Sequence, residues 1–124
     1  MKFSSIRISK SAQTVFSKLK DPSGLTPNLL SRYAICMSIK EKSEPNKEQF
    51  GNDEGSLIEP AILFGEYEPI FLQLMKNWMN KFSIDESKLN EMTRLHINRG
   101  AENLYSRLND YAKFAELINE KDNV

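Results

Sequence analysis

The chain has 124 residues, 40% hydrophobic and 27% charged, with seventeen basic and seventeen acidic side chains. That is the size of a single domain built on one ordinary core. Cys36 is the only cysteine, which excludes an internal disulfide and a cysteine-rich zinc site, and no apolar run approaches the ~20 residues that span a bilayer. Met1-Lys2 is not followed by an apolar stretch, so no signal peptide is expected, no membrane association is expected, and a cytoplasmic protein is the natural reading.

The balanced total conceals a division. Residues 1–40 carry Lys2, Arg7, Lys10, Lys18, Lys20, Arg32 and Lys40 against Asp21 alone, a net of +6. Residues 41–124 hold ten basic and sixteen acidic side chains, a net of −6. Such asymmetry suits a basic face for a polyanion with the acidic part turned elsewhere. It equally suits two halves that attract each other within or between subunits.

Taken in order, Phe3-Ser4-Ser5-Ile6-Arg7-Ile8 alternates weakly, with Ile6 and Ile8 on one side and Ser5 and Arg7 on the other. This pattern predicts a short, half-buried strand. Ser9 or Ser11 then caps a helix whose Ala12, Val15, Phe16 and Leu19 fall at i, i+3, i+4 and i+7. Lys10, Lys18 and Lys20 lie off that stripe and face solvent. Asp21-Pro22-Ser23-Gly24 is a turn cluster that ends the helix. Thr26-Pro27 starts the next, because a threonine hydroxyl can accept a first-turn amide and proline has no amide to leave unpaired. Leu29, Leu30, Tyr33, Ala34, Cys36, Met37 and Ile39 cover most of its circumference, leaving a polar strip through Asn28, Ser31, Arg32 and Ser38. A helix this apolar is packed on several sides, so it is expected at the centre of the fold or of an oligomer. Strand, helix, tight turn and helix is also the element order of ribbon-helix-helix DNA binders, an analogy of order only.

Glu41 to Ser56 is polar and reads as a surface loop. Leu57 to Phe64 is short and apolar, and Pro60 makes it an edge strand or an extended segment. Pro69, in a first turn, opens a helix with Phe71, Leu74, Met75, Trp78 and Phe82 as its buried stripe, broadened by Ile70, Leu72 and Met79. Asp85 or Ser87 starts another through Leu89, Met92, Leu95 and His96, which Asn98-Arg99-Gly100 is expected to interrupt or kink. A last helix carries Ala101, Leu104, Tyr105, Leu108, Tyr111, Ala112, Ala115 and Ile118, and residues 121–124 are expected to fray. The fold class is therefore mainly α: one compact helical domain over 1–124 with one or two short strands.

Four of these stretches together resemble a known family. Gly24-Leu25-Thr26-Pro27-Asn28-Leu29-Leu30-Ser31-Arg32, leading into Ala34-Ile35-Cys36-Met37-Ser38, is similar to the signature of the DndE family of DNA sulfur modification. Gly65-Glu66-Tyr67, His96-Ile97-Asn98-Arg99-Gly100 and Ile6-Arg7-Ile8-Ser9 agree with it, and the matches run from about residue 3 to residue 108. The resemblance implies the small subunit of the bacterial DNA phosphorothioation machinery. Such a subunit binds duplex DNA, with a preference for nicked duplex, and assembles as a homotetramer. Its partners are the other Dnd modification proteins, among them an iron–sulfur protein and an ATPase-like protein. The resemblance transfers no catalytic residue.

The residues themselves offer no catalytic apparatus, so no enzymatic activity, metal or cofactor is expected. Cys36 lies among Ile35, Met37 and Ile39 and reads as a small buried hydrophobe rather than a reactive thiol. His96, between Leu95 and Ile97, reads as a hydrogen-bonded structural residue, and one histidine with scattered carboxylates cannot build a metal site. Asp53-Glu54 and Asp85-Glu86 are expected to be solvated charges, and the helical spacing of Trp78 and the tyrosines assigns them to the core. The chemistry left is electrostatic. Lys2, Arg7, Lys10, Lys18 and Lys20 stand within twenty residues that hold no acid, and contact with DNA phosphates needs accessible cations and no special geometry. Two functions fit: a DNA-binding subunit without chemistry of its own, and an adaptor that docks other Dnd modification proteins without touching DNA.

Overall fold

The computed structural model describes the backbone of residues 1–122 and the side chains of residues 1–110. The chain begins with strand β1 (Ile6–Arg7), then helices α1 (Lys10–Ser23), α2 (Pro27–Lys40) and the short α3 (Lys47–Phe50). Strand β2 (Leu57–Ile58), α4 (Pro60–Phe64), α5 (Glu68–Lys81) and the long α6 (Leu89–Asp122) complete it, with single 3₁₀ turns ahead of α5 and α6. The expected mainly helical domain with short strands is what forms.

Each early boundary has a local cause. The Ser9 hydroxyl accepts from the Ala12 amide and so caps α1, and Thr26 does the same for the Leu29 amide at α2, with Pro27 as its first residue. Helix α1 runs further than the turn cluster suggested and carries Pro22 in its last turn. Gly24, at φ +70°, closes it by donating to the Lys20 carbonyl.

Strand β1 pairs antiparallel with β2 of the same chain, Ile6 opposite Ile58 and Arg7 opposite Leu57. The Ile8 amide to Ser56 and the Gly55 amide to Ile8 extend the ladder. The other edge of β1 is closed by side chains of α6 spaced four apart. Asn90 accepts from the Ser4 amide, Arg94 donates to the Arg7 carbonyl, and Asn98 accepts from the Ser9 amide. So the strand of the ribbon-helix-helix-like order has both edges occupied within its own chain.

The core joins Phe3, Ile6, Ile8, Ala12, Phe16 and Leu19 to Leu30, Ala34 and Ile35 of α2, and through Leu63, Phe64, Phe71, Met75 and Trp78 to α6. Phe3, Phe64 and Phe71 form a run of rings 4.4 and 5.0 Å apart. Helices α2 and α6 make the most extensive contact in the fold.

Several expectations are corrected here. The polar strip of α2 is partly inside, with Ser31 and Ser38 fully buried, while Tyr33 and Cys36 are exposed. The buried serines do not spoil the interface because each satisfies its hydroxyl, Ser31 on the Pro27 carbonyl and Ser38 among α6 side chains. Tyr67 and Tyr105 are exposed as well, and Tyr111 lies outside the described side chains, whereas Trp78 is core as expected. Residues 57–64 are not one extended segment. Pro60 takes the first position of α4, where a missing amide is harmless, and the helix buries Leu63 and Phe64. The stretch 41–56 contains α3, capped by Asn46, and sinks Phe50 into the protein.

Gly100 does not break α6. A methyl group at Gly100 would overlap the carbonyl oxygen of Ala34, so glycine is what lets the two helix backbones touch. The helix is continuous across it, because packing against α2 outweighs the weak intrinsic propensity of one glycine.

Candidate nucleic-acid interface

Lys2, Arg7, Lys10, Lys18 and Lys20 are all solvent-exposed, but they do not converge on one point. Lys2 precedes the buried Phe3, and Arg7 projects from β1 with one guanidinium nitrogen donating to the Gly55 carbonyl at 3.0 Å. On α1, Lys10 and Lys18 turn toward α6. Lys10 lines a groove with Gln49, Asn52 and Glu102, and Lys18 lines the next with Thr14, Glu102, Tyr105 and Ser106. Lys20, two residues past Lys18, points about 160° away around the helix axis, so the two lysines flank opposite sides of α1. The arrangement is a spread of cations over one part of the surface, with Glu102 as the acid between Lys10 and Lys18. Spread charge suits contact with a phosphate backbone rather than capture of a small ligand.

Sequence reasoning missed Arg94. Its Nε lies 2.7 Å from the Arg7 carbonyl, which sets a second guanidinium beside Arg7. The signal available was its place between Asn90 and Asn98 on one helix face, legible only once β1 is known to lie along that face.

The residues that most resemble chemistry are inside. His96 is fully buried, with Nδ1 2.7 Å from the Ser38 hydroxyl oxygen and its ring edge-to-face with Trp78, centroids 4.2 Å apart. The same oxygen accepts from Arg99 Nε at 2.7 Å, so the serine's own proton is free to point at His96 Nδ1. That assignment leaves the imidazole proton on Nε2, which has no hydrogen-bond partner among the described residues. Burial first, and the Arg99 charge second, hold the His96 pKa down to about 3, so the ring is neutral. Arg99 in turn donates to the Ser38 and Ser43 carbonyls and pairs with Glu41 at 2.8 Å. Its own pKa is lowered by burial, with Glu41 pulling it back up.

Asn98 completes the His-Ile-Asn-Arg-Gly stretch as a three-way tie. It accepts from the Ser9 amide and donates to the Phe50 and Asn52 carbonyls. The Gly-Glu-Tyr stretch is also structural in its contacts. Arg32 donates to the Leu63 carbonyl at 2.7 Å and lies 5.8 Å from the Tyr67 ring centre, passing over Gly65 at φ +55°.

Cys36, expected to be buried, is exposed. Partial burial raises its pKa, and Lys40 one turn on opposes that shift. It stands about 160° around α2 from Ser38, and therefore away from His96, so no Cys–His pair forms. Among the described residues no three of His, Cys, Asp and Glu gather as metal ligands, and no helix is long and apolar enough to cross a membrane.

No curated protein sequence matches the chain. The fold is similar to the crystal structure of DndE from Escherichia coli B7A, a protein involved in DNA phosphorothioation modification. That likeness has a TM-score of 0.70 at 20% identity, over 84% of this chain and 98% of that one. A glycine-to-lysine mutant of DndE, also involved in DNA phosphorothioation, is similar at a TM-score of 0.68 and 19% identity, over 84% and 99% of the two chains. The family model of the DNA sulphur modification protein DndE matches residues 5–111, and on that match this chain belongs to the DndE family.

Proposed function

We propose that this protein is a DNA-binding subunit of the DNA phosphorothioation machinery, holding duplex DNA, nicked duplex in preference, without chemistry of its own. The observation that carries the reading is the set of exposed cations Lys2, Arg7, Lys10, Lys18 and Lys20, from the N-terminal segment through β1 and α1, in a stretch of twenty residues that holds no acid. Each phosphate such a surface neutralises releases counterions, so binding is salt-dependent and nearly indifferent to base sequence. The burial of Ser38, His96 and Arg99 supports a non-catalytic role, since their polar atoms serve α2 and α6 rather than a cleft.

A homotetramer working beside other Dnd modification proteins in the cytoplasm completes the reading. Exposed Tyr33, Leu57, Ile62, Tyr67 and Ile70 support it, as apolar surface available to a subunit or partner. The same residues favour the second reading, an adaptor that docks Dnd proteins and never touches DNA. A mobility-shift series on intact and nicked duplex of one sequence, over a range of salt, separates the two. The DNA-binding reading expects salt-dependent binding to both and tighter binding to the nicked duplex. No shift on either at low salt makes the protein an adaptor.

A further inference from the structure

Lys2, Arg7, Lys10, Lys18 and Lys20 belong to the N-terminal segment through β1 and α1, yet the molecule holds a second basic feature on the other flank of α6. Between the last turn of α2 and the middle of α6 opens a cleft of about 430 Å³, lined by Met37, Lys40, Glu41, Asn103, Ser106 and Arg107. Glu41 is the only acid among its described lining residues, and that carboxylate is already engaged with the guanidinium of the buried Arg99 at 2.8 Å. Lys40 and Arg107 form no ion pair with any described residue, so among the described residues the cleft walls present two unpaired cations.

Asn103 and Ser106 add an amide and a hydroxyl, both able to donate. Two cations with neutral donors beside them suit a tetrahedral oxyanion. The guanidinium supplies paired N–H donors and the ammonium a mobile point charge. Among the described lining residues there is no aromatic ring on which a base could stack.

The position of the cleft adds to its composition. Ser106 belongs to both this cleft and the neighbouring groove that contains Lys18. Helix α6 is therefore a ridge, with Lys10 and Lys18 along one side and Lys40 and Arg107 along the other. We propose that the α2–α6 cleft is a phosphate-binding site, seating an oxyanion between Lys40 and Arg107. Its continuity with the Lys18 groove points to a phosphodiester of the same duplex as the occupant, and to that extent the inference rests on the DNA-binding reading.

The test uses the full chain in two arms, with Lys40→Met and Arg107→Gln singly and together, and Lys40→Arg as the charge-keeping control. Inorganic phosphate, titrated into ¹⁵N-labelled protein, is expected to give saturable shifts at Asn103, Ser106 and Arg107, lost in the double variant and kept in Lys40→Arg. On duplex DNA the double variant is expected to bind more weakly, with a log–log salt slope smaller by about 0.9 for the one phosphate released. An unchanged thermal midpoint shows that the variants fold. Phosphate shifts with unchanged duplex binding identify a site for free anions and overturn the duplex assignment. Absent shifts with an unchanged slope overturn the site altogether. A wild-type chain that binds phosphate here but no duplex sinks the DNA-binding reading and leaves the anion site standing.

Discussion

The α2–α6 interface and the outer face of α1 divide the labour of this molecule. At the interface, backbones meet at Ala34 and Gly100, and Ser38, His96 and Arg99 bond to one another, to backbone carbonyls and to Glu41, while His96 Nε2 has no partner among the described residues. On α1, the lysines extend into solvent, and none is in an ion pair with a described residue. The residue types that usually signal catalysis thus hold the fold together, and the commonest surface residues are the ones left available to a ligand. If that division is real, damage to the first region should appear as lost stability, and damage to the second as lost binding.

The largest expected effect is on stability against pH. His96 titrates near 6.5 when unfolded and near about 3 when folded, so between those values the unfolded chain binds more protons. Its contribution to stability is therefore complete above the unfolded value and drains as pH falls toward the folded one. At 1.36 kcal/mol per unit the whole limb amounts to roughly 5 kcal/mol, and roughly half of it is lost by about pH 4.5, above the ordinary carboxylate range. Urea unfolding at pH 7 and pH 4.5 should show that loss in the wild type and much less of it in His96→Gln. Equal losses in both proteins would mean that the buried imidazole is not what couples this fold to acid.

Next comes Gly100→Ala. The added methyl meets a helix backbone, which cannot rotate aside as a side chain can, so α2 and α6 must separate. Overpacking of that kind costs about 3 kcal/mol at the upper end of its usual range. Ordinary stability in the variant, read as an unchanged denaturation midpoint, would show that the helices are not held backbone to backbone.

How much of this was legible beforehand follows from the range of the forces involved. Local signals read correctly: the Thr26-Pro27 start, a serine cap for α1 at Ser9 or Ser11, of which Ser9 takes the place, and the Phe71-Met75-Trp78 stripe all act within a turn or two of helix. What misled were residues whose role is set by a distant partner. Gly100 looked like a break because its reason, the Ala34 carbonyl, is 66 positions away in the chain. Ser31 and Ser38 looked like a solvent strip because their hydroxyls find partners only in the folded helix packing. Pro60 read as a strand edge, since a proline at the first turn of a five-residue helix carries the same local signature. At the candidate interface the cations of the first twenty residues were legible from density alone. Arg94, Lys40 and Arg107 were not grouped with them, because only the packing of β1 and α2 on α6 brings those charges near that surface.

Asn98 gives a smaller test of the same interface. Asn98→Ala leaves the Ser9 amide and the Phe50 carbonyl without partners in a buried setting, which costs about 2 kcal/mol. Asn98→Asp is the sharper variant, because it keeps the acceptor for Ser9 but turns the donor toward Phe50 and Asn52 into a repelling oxygen. It should destabilise at least as much as alanine, as read by thermal unfolding. A milder effect for aspartate would show that only the bond to Ser9 matters.

The smallest expected change in stability belongs to Lys18→Glu with Lys20→Glu, and there the comparison is most exposed to test. Both side chains are solvent-exposed on a helix whose buried stripe is Ala12, Phe16 and Leu19, so neither substitution removes packing. Surface changes of this kind stay within about 0.5 kcal/mol, and the thermal midpoint and the oligomer, measured by light scattering, should match the wild type. Binding should not match. The two lysines stand on opposite flanks of α1, so a duplex laid across the helix reaches both, whereas one passing along the α6 side reaches only Lys18. Lys18→Glu and Lys20→Glu made singly therefore tell the two paths apart. Equal losses, with each salt slope smaller by about 0.9, place the duplex across α1. A loss confined to Lys18→Glu places it over the α6 ridge, between the Lys18 groove and the cleft of Lys40 and Arg107. Unaltered affinity in the double variant would take DNA away from α1 and leave Lys40, Lys42 and Lys47 as the next cations to change.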